Sequence, residues 1–73
     1  MTAASEILYA TLGKRIADLR KQNRLSQFEL AGLLPQKRTQ AWISNIESGQ
    51  RNISAFDLFE IASALDHSVE YLF

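Results

Sequence analysis

Cysteine is absent from this 73-residue chain, and histidine occurs only once. Without these side chains neither a disulfide framework nor a Cys/His metal cage can form, so stability must come from packing. No apolar run approaches the ~20 residues that span a bilayer, and the N-terminus lacks the basic start and apolar stretch of a signal peptide. We therefore expect a cytoplasmic protein with no membrane contact, no metal, no cofactor and no small-molecule ligand.

The length and the 47% hydrophobic content support one compact core and no second. A single domain is therefore expected over residues 1–73. Strand-like alternation is absent, and apolar residues recur at helical spacing, as in the stripe Leu8, Leu12, Ile16 and Leu19. The pattern predicts an all-α fold of five helices over residues 5–22, 26–34, 39–48, 55–65 and 69–73.

Short polar residues mark the helix ends. Ser26 and Ser54 each have an acid three positions later, as in a capping box, and Thr39 is suited to cap the third helix. Pro35 is expected to stop the second helix, and Gly49 to end the third.

Further local features complete the helix prediction. Asn23 is expected to end the first helix in the left-handed conformation, and Ser68 to cap the last one. Leu30, Leu33 and Leu34 form the expected apolar edge of the second helix, where Ala31 and Gly32 leave room for another backbone. The buried stripe of the fourth helix is expected to consist of Leu58, Ile61, Ala62 and Leu65.

Net charge is zero, but the charges are not evenly distributed. All eight basic residues lie between residues 14 and 51 with only three acids, which gives that segment a charge of +5, and the flanks carry −5. A basic block of this kind is compatible with an anionic partner and also with an ordinary solvated surface.

Three segments in order carry a resemblance to a known family. They read LGKRIADLR at 12–20, LSQFELA at 25–31 and ISNIESG at 43–49, and together they resemble the lambda-repressor-like, Cro/C1-type helix-turn-helix regulators over residues 9–73. The loop ESGQRNIS at 47–54 is also similar to that of restriction-modification controller proteins. Leu30 lies thirteen positions before Ile43, about two more than is usual in the family, and Pro35 stands near the family's glycine. The entry to the third helix is therefore expected to differ.

The resemblance implies a helix-turn-helix DNA-binding domain whose third helix enters the major groove. It further implies that Gln27 bonds a phosphate together with the N-terminus of its helix and that Arg20 and Glu47 form a structural ion pair. His67 stands where the family usually has an apolar residue, which suggests a partly buried structural histidine.

If Trp42, Ile43 and Ile46 face inward, the opposite face of the third helix reads the bases. The base-reading residues predicted on that face are Gln40, Ala41, Ser44 and Asn45. The predicted contacts to the DNA backbone are Gln27, Lys37, Arg38, Thr39, Arg51 and Asn52. Trp42 either packs under the second helix or lies against the sugar-phosphate wall, and we favour partial packing.

The C-terminal third has more aromatic and aliphatic surface than so small a core can bury, which usually marks a contact surface. The residues concerned are Phe56, Phe59, Val69, Tyr71 and Phe73. Because one recognition helix reads only a few base pairs, family members commonly dimerise. We predict a two-fold homodimer formed through helices four and five.

These features favour a sequence-specific regulator of transcription that binds double-stranded DNA. The alternative is a protein-interaction module of the same fold, an antitoxin or a scaffold, in which DNA contact is secondary. An enzyme is not expected, because the carboxylates have no partner nucleophile, metal set or glycine-rich phosphate loop.

Overall fold

The computed structural model describes residues 2–50 and 53–73, with side chains from residue 6 onward. Within these residues the chain forms four α-helices and one short 3₁₀ helix, with no strand. The α-helices are α1 (Thr2–Gln22), α2 (Gln27–Leu33), α3 (Gln40–Glu47) and α4 (Ala55–Ala64), and the 3₁₀ helix is Val69–Leu72. The all-helical prediction is confirmed, but the predicted fifth α-helix is wrong, because that segment forms a 3₁₀ helix.

The starts of the three middle helices follow the predicted caps. The hydroxyls of Ser26, Thr39 and Ser54 accept hydrogen bonds from backbone N–H groups three residues later. The carboxylates of Glu29 and Asp57 in turn accept hydrogen bonds from the backbone N–H of Ser26 and Ser54, which completes two capping boxes. Ser68 is the N-cap of the 3₁₀ helix without a side-chain cap bond. Hydrogen bonds from the backbone N–H of Glu70 and from the Ser68 hydroxyl lower the pKa of the Glu70 carboxyl.

Helix α1 ends at Gln22 as predicted, but the predicted left-handed residue after it is wrong by one position. Arg24, not Asn23, adopts the left-handed conformation, with φ of 59°. Asn23 instead donates from Nδ2 to the carbonyl oxygens of Leu19 and Leu65, at 2.9 and 3.4 Å. Its side chain therefore ties the end of α1 to the end of α4, and the residue after it makes the turn.

One contiguous core unites the helices. It is formed by the buried residues Leu12, Ile16, Leu19, Leu30, Ala31, Leu34, Ile43, Ile46, Ile61, Ala62, Leu65 and Leu72. Two predicted core positions are wrong, because Leu8 and Leu33 are exposed. Leu8 precedes Leu12, the first buried residue of the α1 stripe. Leu33 lies on the side of α2 that faces away from the core. No helix among the described residues has the length and apolar character to cross a membrane.

The close backbone approach expected near Gly32 lies elsewhere. A methyl group built at Gly32 would meet nothing within 4 Å, whereas one at Gly13 would collide with the backbone carbonyls of Ile46 and Glu47. Gly13 therefore lets α1 lie directly against the last turn of α3. Gly49 ends α3 as expected, with φ of +94° and its N–H donating to Ile46.

Candidate nucleic-acid interface

The unit formed by α2, the turn 34–39 and α3 is held by short-range bonds. Leu34 leaves the helix with ψ of 142°, the extended conformation that a following proline favours. Within the turn, the backbone N–H of Lys37 donates to Leu34 and that of Arg38 donates to Ala31. Thr39 then caps α3 by accepting from the N–H of Trp42 at 3.1 Å. The longer turn is therefore ordered by its own bonds and by bonds back to α2.

Helix α3 has one buried side and one exposed side. Ile43 and Ile46 are buried, and Trp42 is half-buried against the same core. The four predicted base-reading residues are all exposed, namely Gln40, Ala41, Ser44 and Asn45. Two amides, a hydroxyl and a methyl group thus share the outward face, a set of groups that can bond or contact base edges.

Arg20 and Glu47 form a doubly hydrogen-bonded ion pair beneath this face. Arg20 Nε and Nη2 lie 2.6 and 3.0 Å from the two Glu47 oxygens, and both side chains are largely buried. Arg20 Nη1 donates to the carbonyl of Leu25 at 2.8 Å. Hydrogen bonding to Glu47 raises the pKa of the Arg20 guanidinium above its usual value, although burial acts in the opposite direction. The pair ties α1 to the end of α3.

The ion pair continues into a chain of amides that reaches the surface. Gln27 Nε2 donates to Glu47 Oε1 at 3.0 Å, and Gln27 Oε1 accepts from Gln40 Nε2 at 3.3 Å. Gln40 is therefore oriented through Gln27 by a buried carboxylate. Sequence reasoning placed Gln27 and Gln40 in separate roles and missed their bond, which depends on how α2 and α3 pack.

The residues predicted to contact the DNA backbone lie in different environments. Lys37 and Thr39 are exposed beside the start of α3, and Gln27 is half-buried. Arg38 turns inward, and its guanidinium lies 4.3 Å from the Trp42 ring centroid and forms an ion pair with Asp57 at 2.8 Å. Arg51 and Asn52 lie outside the described residues.

The surface of α4 and the chain end carries exposed apolar side chains. Phe56, Phe59, Tyr71 and Phe73 are more than half exposed, whereas Val69 is partly buried against the core. A groove of about 400 Å³ lies on the α4 side. Its lining residues are Leu33, Pro35, Phe56, Phe59, Glu60, Ser63 and Ala64. The structure thus places two of the five predicted interface residues in this groove.

His67 is half-buried and stacks on Tyr71 with the ring centroids 4.1 Å apart. Tyr71 is also bonded to α1, because its carbonyl accepts a hydrogen bond from Arg15 Nη1 at 3.2 Å. The hydrogen bond from Arg15 connects the 3₁₀ helix to α1. Arg15 was not singled out from the sequence, since its partner is a backbone atom 56 positions away and no local pattern marks it.

Comparison with known proteins places these features in a wider group. A family model described as a helix-turn-helix domain matches residues 11–70. The crystal structure of the restriction-modification controller protein C.AhdI from Aeromonas hydrophila is similar, with 34% identity and a TM-score of 0.81, over 89% of this chain and 96% of that chain. A search among curated proteins found no match.

Crystal structures of HppE in complex with substrate, in FeII and CoII forms, are similar as well. They show 25% identity and a TM-score of 0.79 over 88% of this chain. The likeness covers 35% of the HppE chain. It therefore concerns about a third of that protein.

Proposed function

This chain belongs to the helix-turn-helix domain family, and we propose on that premise that it is a sequence-specific regulator of transcription that binds double-stranded DNA as a two-fold dimer. Helix α3 lies in the major groove and reads the bases with its outward face. The family and the similarity to a controller protein support DNA binding and transcription regulation. We propose no enzymatic reaction.

The observation that carries the proposal is the orientation of Gln40. A glutamine reads adenine by accepting from N6 and donating to N7. Gln40 uses one Nε2 hydrogen for Gln27, which leaves its second hydrogen and Oε1 for the base. The side chain is thus held in place without losing the groups that the base requires.

The remaining outward residues supply complementary contacts. Asn45 carries a second amide for a base edge, Ser44 a hydroxyl, and Ala41 a methyl group suited to the methyl of thymine. All three are exposed. Since each contacts a different chemical feature, the face discriminates among base pairs better than one amide alone.

Contacts to the DNA backbone supply affinity that does not depend on sequence. Gln27 donates one Nε2 hydrogen to Glu47 and keeps the other for a phosphate oxygen. Lys37 is exposed, and its ammonium forms no hydrogen bond or ion pair within the described residues 2–50 and 53–73. We assign Thr39, Arg51 and Asn52 to the same role.

The test begins with selection of bound sites from random duplexes, which defines the operator and its half-site spacing. Gln40→Ala and Asn45→Ala are expected to lower the ratio of operator to random-duplex affinity by about tenfold or more, in line with the loss of a base contact. Gln22→Ala, at an exposed glutamine at the end of α1, serves as the matched control and leaves the ratio unchanged.

Affinity for the operator is also expected to fall steeply as salt rises, because phosphate binding releases counterions. An equal loss on operator and random DNA would show that Gln40 and Asn45 do not read bases. Absence of salt-dependent binding to any duplex would refute the regulator and favour the protein-interaction module.

A further inference from the structure

Arg38 lies in the turn between α2 and α3 and contacts three elements. Its backbone N–H donates to Ala31 of α2 at 3.3 Å. Its guanidinium covers the Trp42 ring of α3, with Cζ 4.3 Å from the centroid. Nη2 forms an ion pair with Asp57 of α4 at 2.8 Å and also donates to Gln36 at 3.2 Å. Together these contacts connect Arg38 to α2, α3 and α4.

The ion pair is partly buried. The Arg38 and Asp57 side chains are 29% and 13% exposed, so the pair is screened less than an ordinary surface pair. Asp57 is itself fixed, because its other oxygen accepts from the Ser54 N–H at 3.3 Å in the capping box of α4. Arg38 is therefore anchored to the start of α4 through a carboxylate that has little freedom.

We propose that Arg38 is a positioning residue for base reading, and that the Arg38–Trp42–Asp57 cluster sets the angle of α3 relative to α4. This inference rests on the proposed function and deepens it. Trp42 lies in the first turn of α3, beside Gln40 and Ala41. The cluster thus joins the end of α3 that faces the bases to the helix that carries the proposed dimer surface.

The longer turn explains why such a cluster is needed. Residues 34–39 lie outside any helix, and their backbone hydrogen bonds run within the turn, back to α2 or on to α3 and do not reach α4. The bonds of the turn therefore order α3 relative to α2 but leave its angle to α4 to side-chain contacts. Side-chain contacts to Trp42 and Asp57 supply the restraint.

The competing role for Arg38 is a direct phosphate contact, and lysine distinguishes the two. A phosphate accepts lysine in place of arginine, whereas lysine cannot reproduce the planar stack on Trp42 together with the bond to Asp57. Arg38→Lys is therefore expected to lower the operator-to-random affinity ratio about tenfold, comparable to a lost base contact. A ratio equal to that of the unmodified chain would overturn the proposal.

Salt dependence provides an independent measurement. Arg38→Gln is expected to leave the slope of log affinity against log salt unchanged, because no phosphate contact is lost. The matched control Lys37→Gln removes an adjacent exposed cation, and it is expected to make the slope shallower by about 0.9 per subunit. A slope change in Arg38→Gln equal to that of Lys37→Gln would assign Arg38 to phosphate and overturn the proposal.

Trp42 is the only tryptophan, so its fluorescence reports on the cluster in the absence of DNA. Arg38→Gln and Asp57→Asn are expected to shift the emission to longer wavelength by similar amounts, and the double variant to add nothing. Ser54→Ala weakens the α4 cap without removing the ion pair, and controls for loss of the cap. Unchanged emission in Arg38→Gln would overturn the cluster. Failure of the unmodified chain to bind any duplex would instead remove the base-reading role together with the proposed function.

Discussion

Glu47 shows how one side chain can serve both the core and the surface. Its two oxygens accept from Arg20, and one of them also accepts from Gln27. Because the Arg20 pKa is raised, the stabilisation that this shift represents is fully present at physiological pH, which lies far below the ordinary arginine value. It is lost only as pH rises through the folded-state pKa. The guanidinium therefore remains charged at physiological pH, and removal of its partner has a predictable cost.

Glu47→Ala is expected to lower the free energy of unfolding by about 3 kcal/mol, because it leaves a largely buried guanidinium without a carboxylate. Urea denaturation measures this change. Lys14→Ala is the control, since the Lys14–Asp18 pair is exposed at 3.6 Å and its loss is expected to cost less than about 0.5 kcal/mol. Similar losses in the two variants would show that the Arg20–Glu47 pair is no stronger than a surface pair.

At the scale of the helices, what the sequence predicts depends on the range of the interaction. The caps at Ser26, Thr39 and Ser54 were predictable because each bond spans three residues. The outward face of α3 was predictable because helical periodicity fixes it once the buried residues are known.

Features set by packing between helices were not predictable in this way. The bond of Asn23 to Leu65 spans 42 positions, and the Arg38–Asp57 pair spans 19. Neither has a local pattern, so the sequence predicts neither the link between the ends of α1 and α4 nor the pairing of Arg38 with Asp57. The sequence likewise does not distinguish Gly13 from Gly32, because the two glycines differ only in which atoms of other helices lie beside them.

The two glycines provide a matched test of helix packing. Gly13→Ala is expected to destabilise the fold by about 1–3 kcal/mol, because the methyl group meets the carbonyls of Ile46 and Glu47. Gly32→Ala adds the same group to a helix in open space and is expected to stabilise it by roughly 0.5–1 kcal/mol. Thermal unfolding of both variants measures the difference. Destabilisation by Gly32→Ala, or tolerance of Gly13→Ala, would contradict this account of how α1 meets α3.

At the scale of the whole molecule, the size of the domain constrains how it binds. The described chain measures 34 × 22 × 20 Å, and the eight residues of α3 extend only about 12 Å. Two half-sites on one face of a duplex lie about 34 Å apart, so one copy of α3 cannot reach both. The chain's charge is divided between a basic segment, residues 14–51, and two acidic flanks. The exposed aromatic side chains of α4 and the C-terminus lie in the C-terminal acidic flank. These features together support pairing through that flank.

Phe59→Asp is expected to convert a dimer of 8.3 kDa chains into a monomer, because the side chain is 58% exposed and would place a charge in the proposed apolar interface. Helical circular dichroism should be unchanged, since more than half of this side chain is exposed. Operator affinity should fall by about 10²–10⁴, because the second half-site is no longer held at high effective concentration. Phe28→Asp changes an equally apolar and more exposed residue on α2 and should keep the dimer. Sedimentation at micromolar concentration measures the oligomeric state of each variant. If the unmodified chain is monomeric and still binds a two-fold operator tightly, the proposed interface on α4 is wrong.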